Sequence, residues 1–130
     1  MAKKLAWLFG IVFVLVGILG FIPNPIVGHN AVFHTNAVHN LVHLIIGVFL
    51  IIGGTQGEAT ASKFLVIFGV VYLLVAILGF FSVDASGRGM LLGLVAINVA
   101  DNWLHVVLAV ALIGTGLMAG KTRPVTTTAP

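Results

Sequence analysis

Eight polar residues in an otherwise oily chain fall into two sets of similar spelling: Asn36, His39, Asn40 and His43, then Asn98, Asp101, Asn102 and His105. The shared Asn, Asn and His stand at i, i+4 and i+7. An α-helix brings those positions within about 60° of one another, so each set forms one polar stripe. Polar side chains of this kind are costly inside a membrane span unless they are partnered or functional.

Three kinds of chemistry suit these residues. Asn36, Asn40, Asn98 and Asn102, with the histidines, can form a structural polar network that hydrogen-bonds one helix to another. His43 and His105 can ligate a haem or another tetrapyrrole from opposite sides. Gly47 and Ala109, each four residues beyond its histidine, leave room for a flat ring. His39, His43, Asp101 and His105 can hold a divalent metal or handle a proton. His39 and His43 are spaced so that both imidazoles reach one ion. The structural network is the preferred reading, with the tetrapyrrole and metal readings as its alternatives.

Enzymatic chemistry has little to stand on, and the chain is read as non-enzymatic. Ser62, Ser82 and Ser86 have no nucleophile-elbow motif around them, and no paired carboxylates or phosphate-cradling glycine loop occur. The chain has no cysteine, which excludes disulfides, thiolate metal sites and cysteine nucleophiles.

The repetition extends beyond the stripes. Residues 4–21 read KLAWLFGIVFVLVGILGF and residues 63–80 read KFLVIFGVVYLLVAILGF, identical at ten of eighteen positions. Apolar runs align easily by chance, but Lys, Gly, Asn and His in one order do not. The offset is 59 residues here and 62 at the histidines, so the second unit has the longer loop. The chain therefore reads as two helical hairpins, residues 4–53 and 63–116, within one domain of residues 1–120. Gly10, Gly17 and Gly20, matched by Gly69, Ala76 and Gly79, predict a helix-packing seam of small residues. Tyr72 stands where the first unit has Phe13, and its hydroxyl is expected to find a hydrogen bond.

Sixty per cent of residues are hydrophobic and 7% are charged, against roughly 25% charged in a soluble domain. A span needs about 20 mostly apolar residues. Four are predicted: Leu5–Ile22, Ala37–Gly53, Phe64–Phe81 and Asn98–Met118. The second is short unless it starts near Phe33. Residues 90–97 either extend the fourth helix or lie along the interface. Gly54–Ser62 is expected to be a polar link, and residues 121–130 a disordered cytoplasmic tail.

Lys3, Lys4, Lys63, Lys121 and Arg123 fall on one side of this topology and only Arg88 on the other. By the positive-inside rule both termini are cytoplasmic, and the two hairpins run parallel. The first span is not read as a signal peptide. Phe21-Ile22-Pro23 offers no small-residue cleavage site, and a near-copy of the span lies mid-chain. Six scattered cations make no nucleic-acid patch. The partners are the lipid bilayer and other membrane subunits or a second copy.

The run Asn98-Val-Ala-Asp101-Asn102-Trp103-Leu104-His105 resembles the signature of a small bacterial four-span family known only as domain of unknown function 4383. Phe9-Gly10 through Gly20-Phe21-Ile22-Pro23 resembles that family's first span. Asn40-Leu-Val-His43, with Gly47, resembles its second. The resemblance covers nearly the whole chain except the tail. It implies a protein of the bacterial cytoplasmic (inner) membrane and brings no activity, substrate or cofactor with it. The expected fold is all-α: four transmembrane helices, as two parallel-repeat hairpins, in a four-helix bundle. Its polar cluster sits toward the outer side.

Overall fold

The computed structural model describes residues 1–121: four long helices with two small β elements at one end of the bundle. Helices α1 (Ala2–Leu19), α2 (Ala37–Thr55), α3 (Glu58–Ser82) and α4 (Val99–Lys121) are each long and apolar enough to cross a membrane. Their outward faces expose Leu8, Leu15, Phe49, Leu74, Val107 and Val110. Lipid tails are as apolar as these side chains, so a membrane exacts no penalty for that exposure. Of the expected tail, only Lys121, which ends α4, is among the described residues.

Helix α1 packs along α2, and α3 along α4. Helices α1 and α3 touch across the middle, and α2 also touches α3. Backbone approach between α2 and α4 is slight at most, so these two meet through side chains. The core between the helices holds Phe13, Leu50, Leu65, Tyr72 and Leu112.

The predicted seam of small residues is where the backbones come closest. A Cβ on Gly10 would stand 2.8 Å from the Gly47 carbonyl and 3.0 Å from Ile51 N. One on Gly69 would stand 2.9 Å from Ile113 N. Ile51 and Ile113 are 62 residues apart, the offset that also relates His43 to His105. At the other end of each seam, Gly20 lies under the side-chain amide of Asn40, and Gly79 under that of Asn102. The same packing contacts are thus made in both hairpins.

The connecting segments differ from expectation. The Gly54–Ser62 link shrinks to Gln56 and Gly57, because α3 starts at Glu58. Gly57 has φ +115°, a conformation that glycine tolerates and other residues resist, which permits so short a turn. The Glu58 carboxylate accepts from the chain's amino terminus (2.7 Å) and from Lys3 N (3.3 Å), where negative charge suits a helix start. The first helix runs Ala2–Leu19 rather than Leu5–Ile22, since Asn24 Nδ2 donates to Leu19 O (3.0 Å) and Ile22 O (2.7 Å) and folds the chain back.

Residues 90–97 do not extend α4. They belong to an antiparallel hairpin, β3 (Arg88–Leu91) paired with β4 (Val95–Asn98). Leu92 (φ +52°) and Gly93 (φ +70°) supply the two left-handed residues of its turn. The hairpin buries Leu91, Ala96 and Ile97 against the bundle. The first loop makes a smaller parallel pair, β1 (Val27–Gly28) with β2 (Phe33–His34).

Candidate functional site

The asparagines that open the two stripes stand immediately before α2 and α4. The Asn36 side-chain oxygen accepts from His39 N (3.0 Å), and that of Asn98 accepts from Asp101 N (2.9 Å). This is N-capping, which short polar side chains do well. The amide groups reach outward to the opposite hairpin's loop. Asn36 Nδ2 donates to Leu94 O (2.9 Å), and Asn98 Nδ2 donates to Val32 O (2.8 Å). Each donor and each acceptor has its counterpart 62 residues away, so the two bonds are exchanged copies of one bond. They lace the hairpins together above the helices.

Both caps orient the third residue of their helix, His39 and Asp101, toward the bundle interior. One turn further in, His43 and His105 join them. His39, His43, Asp101 and His105 are all buried, none more than 5% exposed. The imidazoles of His39, His43 and His105 each offer a ligand atom within 4.8 Å of the others. Asp101 Oδ2 lies 3.5 Å from His105 Nδ1, and Asp101 Oδ1 lies 3.9 Å from His39 Nε2. His39, His43 and His105 therefore gather at one point between α2 and α4, with the Asp101 carboxylate beside His39 and His105.

The cluster is poorly satisfied by protein groups. His43 Nε2, Asp101 Oδ2 and His105 Nδ1 are buried with no protein hydrogen-bond partner, as are Thr35 Oγ1 and the Tyr72 hydroxyl. Tyr72 thus lacks the hydrogen bond expected of it. Its ring packs instead on Phe13 (5.2 Å between centroids) and His105 (5.0 Å). Nor do the four asparagines form one network. Asn40 and Asn102 cover Gly20 and Gly79, and both Asn102 side-chain polar atoms lack a partner.

One tautomer can be assigned from geometry. His39 Nδ1 lies 2.6 Å from the Ala96 carbonyl, which can only accept, so Nδ1 carries hydrogen. A neutral His39 then turns the Nε2 lone pair toward the Asp101 carboxylate. Facing lone pairs of this kind are relieved by a proton or a metal ion placed between them. An imidazole that ligates a metal through one nitrogen and donates to a backbone carbonyl through the other is the usual arrangement. Bonds of about 2.1 Å in a tetrahedral site place neighbouring ligand atoms about 3.4 Å apart. The 3.5 Å distance between His105 Nδ1 and Asp101 Oδ2 matches this spacing, whereas the histidine ligand atoms, within 4.8 Å of one another, would have to draw together around an ion.

A tetrapyrrole does not fit the same residues. The 6.2 Å between the His43 and His105 ring centroids would suit two axial ligands, but other rings crowd the space around them. His39 lies 4.8 Å and 5.7 Å from them, and Tyr72 also packs on both, so no slot for a macrocycle separates them. The adjoining cavity, about 130 Å³, is several times too small.

The two remaining histidines lie nearer the surface. His34 Nδ1 donates to the His29 carbonyl (2.6 Å), and the two rings are 5.2 Å apart. Burial holds His34 below the ordinary histidine range. The bond to His29 opposes that shift, and the charges of Arg88 and His29 reinforce it. Sequence reasoning missed Thr35, which is buried beside the cluster. No periodicity marks a loop residue, and only its position next to the Asn36 cap pointed there.

No curated protein and no solved structure matches this chain. Residues 3–118 match a family described as a domain of unknown function, so the chain belongs to the DUF4383 family.

Proposed function

We propose that this chain is a non-enzymatic accessory membrane protein whose two hairpins are joined by one divalent transition-metal ion, held by His39, His43, Asp101 and His105. The carrying observation is the convergence of three buried imidazoles beside a buried carboxylate, with His43 Nε2, Asp101 Oδ2 and His105 Nδ1 left without a protein hydrogen-bond partner. A network kept for hydrogen bonding alone satisfies its members, because an unpaired buried polar atom is expensive. Imidazole and carboxylate donors suit zinc and its first-row neighbours. The ion would tie α2 to α4, the helices with least direct backbone contact.

Cobalt(II) is a suitable probe, since its visible spectrum reports coordination. Purified, chelator-treated protein in detergent should bind one Co²⁺ per chain with tetrahedral or five-coordinate absorption. His105→Ala should lower the affinity at least about 100-fold, more than removal of an outer-shell partner does. Absence of Co²⁺ uptake by the wild-type protein, together with no metal after purification, would defeat the reading.

We place the protein in the bacterial cytoplasmic membrane with both termini inside. Support comes from Lys3, Lys4, Lys63 and Lys121 at the terminal end of the bundle, with Arg88 at the strand end. The exchanged Asn36 and Asn98 bonds support an internal duplication of parallel hairpins. Gln56 and Ala85 are exposed at opposite ends. In intact cells an impermeant thiol reagent should label Ala85→Cys and spare Gln56→Cys; the reverse pattern rejects the orientation.

A further inference from the structure

We infer that the terminal end of the bundle holds an anionic phospholipid, its headgroup at Lys3 and Lys4 and its acyl chains along the outer face of α1. This end lies opposite the histidine cluster, and the site stands whether or not a metal is bound there. Lys3, Lys4, Trp7 and Glu58 line an open recess of about 510 Å³. Trp7 stands four residues after Lys3 and three after Lys4, so the three share one side of α1. Both lysines are exposed, and Trp7 is 41% exposed.

The charges at this recess are not balanced within the protein. The chain has three acidic side chains. Asp84 and Asp101 lie toward the strand end, Asp84 in the second outer loop and Asp101 in the first turn of α4. Glu58 alone is near, and its two oxygens accept from the chain's amino terminus and from Lys3 N. Among the described residues neither lysine ammonium forms an ion pair. Both lysines stand in the first turn of α1, which contains no acidic residue. Cations are unfavourable at this positive end of a helix dipole, whereas an anion is favoured there.

The second hairpin shows that packing does not require these residues. At the offset of 59, Ser62, Lys63 and Val66 stand for Lys3, Lys4 and Trp7. Val66 lies against Gly116 as Trp7 lies against Gly54, so a valine suffices for the seam. Ser62 Oγ donates to Gly116 O (2.7 Å), whereas Lys3 is exposed. The first hairpin thus carries one more cation and an indole beyond what the shared seam needs. Basic pockets beside spans attract anionic headgroups, and Trp settles at headgroup level. Toward the membrane centre, the exposed Leu8, Ile11 and Leu15 continue the face of Lys4 at i+4, i+7 and i+11. A soluble anion would use the recess alone; a phospholipid occupies the recess and this apolar face together.

The test is fluorescence quenching by brominated lipid, with the full chain in phosphatidylcholine bilayers. The chain has two tryptophans, so Trp103→Phe leaves Trp7 as the sole probe. Dibrominated phosphatidylglycerol should quench Trp7 more than an equal mole fraction of dibrominated phosphatidylcholine. That preference should fall by up to about five-fold in Lys4→Gln, the effect of one lysine near an anionic surface. It should vanish in the double variant Lys3→Gln/Lys4→Gln and persist in Lys63→Gln. Equal quenching of Trp7 by the two lipids overturns the inference without recourse to any lysine variant. So does a preference that survives the double variant. A preference lost equally in Lys63→Gln also overturns it, because overall positive charge rather than this recess would then attract the lipid.

Discussion

The two hairpins agree where they pack and differ where they meet. Gly10 on Ile51 is matched by Gly69 on Ile113, and Gly20 under Asn40 by Gly79 under Asn102. The caps Asn36 and Asn98 make the same pair of bonds. The differences gather at the middle of the bundle. His39 stands against Asp101, and Phe13 against Tyr72. Phe13 and Tyr72 touch each other there, as do His43 and His105. Two identical hairpins would bring four histidines or two histidines and two carboxylates to this point. The difference at that one position yields three imidazoles and a single carboxylate.

Breaking that asymmetry should have the largest effect. Asp101→Asn removes the sole carboxylate of the cluster and should weaken Co²⁺ binding about 100-fold or more. His39→Gln, which keeps a polar group of similar reach, should cost less. Equal losses measured by competition with a chelator would show that the two positions are not distinct in role.

The packing seams should respond alike, and more weakly. Gly10→Leu and Gly69→Leu each force a side chain against the neighbouring helix, and overpacking typically costs about 1–3 kcal/mol. Thermal or denaturant unfolding in mixed micelles should register both. A destabilised Gly10 variant beside an unaffected Gly69 variant would break the equivalence of the hairpins.

The smallest effects belong to the caps. Asn36→Ala and Asn98→Ala should each cost about 1 kcal/mol for the cap, plus up to about 1 kcal/mol for the lacing bond. The double variant, measured in the same unfolding assay, should lose the sum, because the two bonds share no atoms. Strong non-additivity would mean that the loops dock as one unit.

Much of the bundle was legible because helices in lipid obey few rules. Length, hydropathy and aligned glycines located four helices, whereas the capping role of Asn36 and Asn98 came only with the structure. The link before α3 was misread because Ala59, Thr60, Ala61 and Ser62 look like a polar connector. They open α3 instead, where the Glu58 carboxylate meets Met1 and Lys3, a contact made only in the folded chain. The β3–β4 hairpin was hidden for a related reason. Met90–Ile97 is apolar throughout, and only Leu92-Gly93 adopting left-handed turn geometry separates a hairpin from a helix extension. In the site, periodicity brought out His43 and His105, and their neighbours His39 and Asp101. Thr35 and Tyr72 reach the cluster by tertiary packing, which no spacing in the chain encodes.

X-ray absorption at the metal edge, on Co²⁺- or Zn²⁺-loaded protein, tests the central claim most directly. The account predicts a first shell of nitrogen and oxygen at about 2.0–2.2 Å, with the multiple-scattering signature of three imidazoles. That signature should fall to two in His43→Ala. A shell of oxygens alone, or an imidazole count that His43→Ala leaves unchanged, would contradict a centre built from His39, His43, Asp101 and His105.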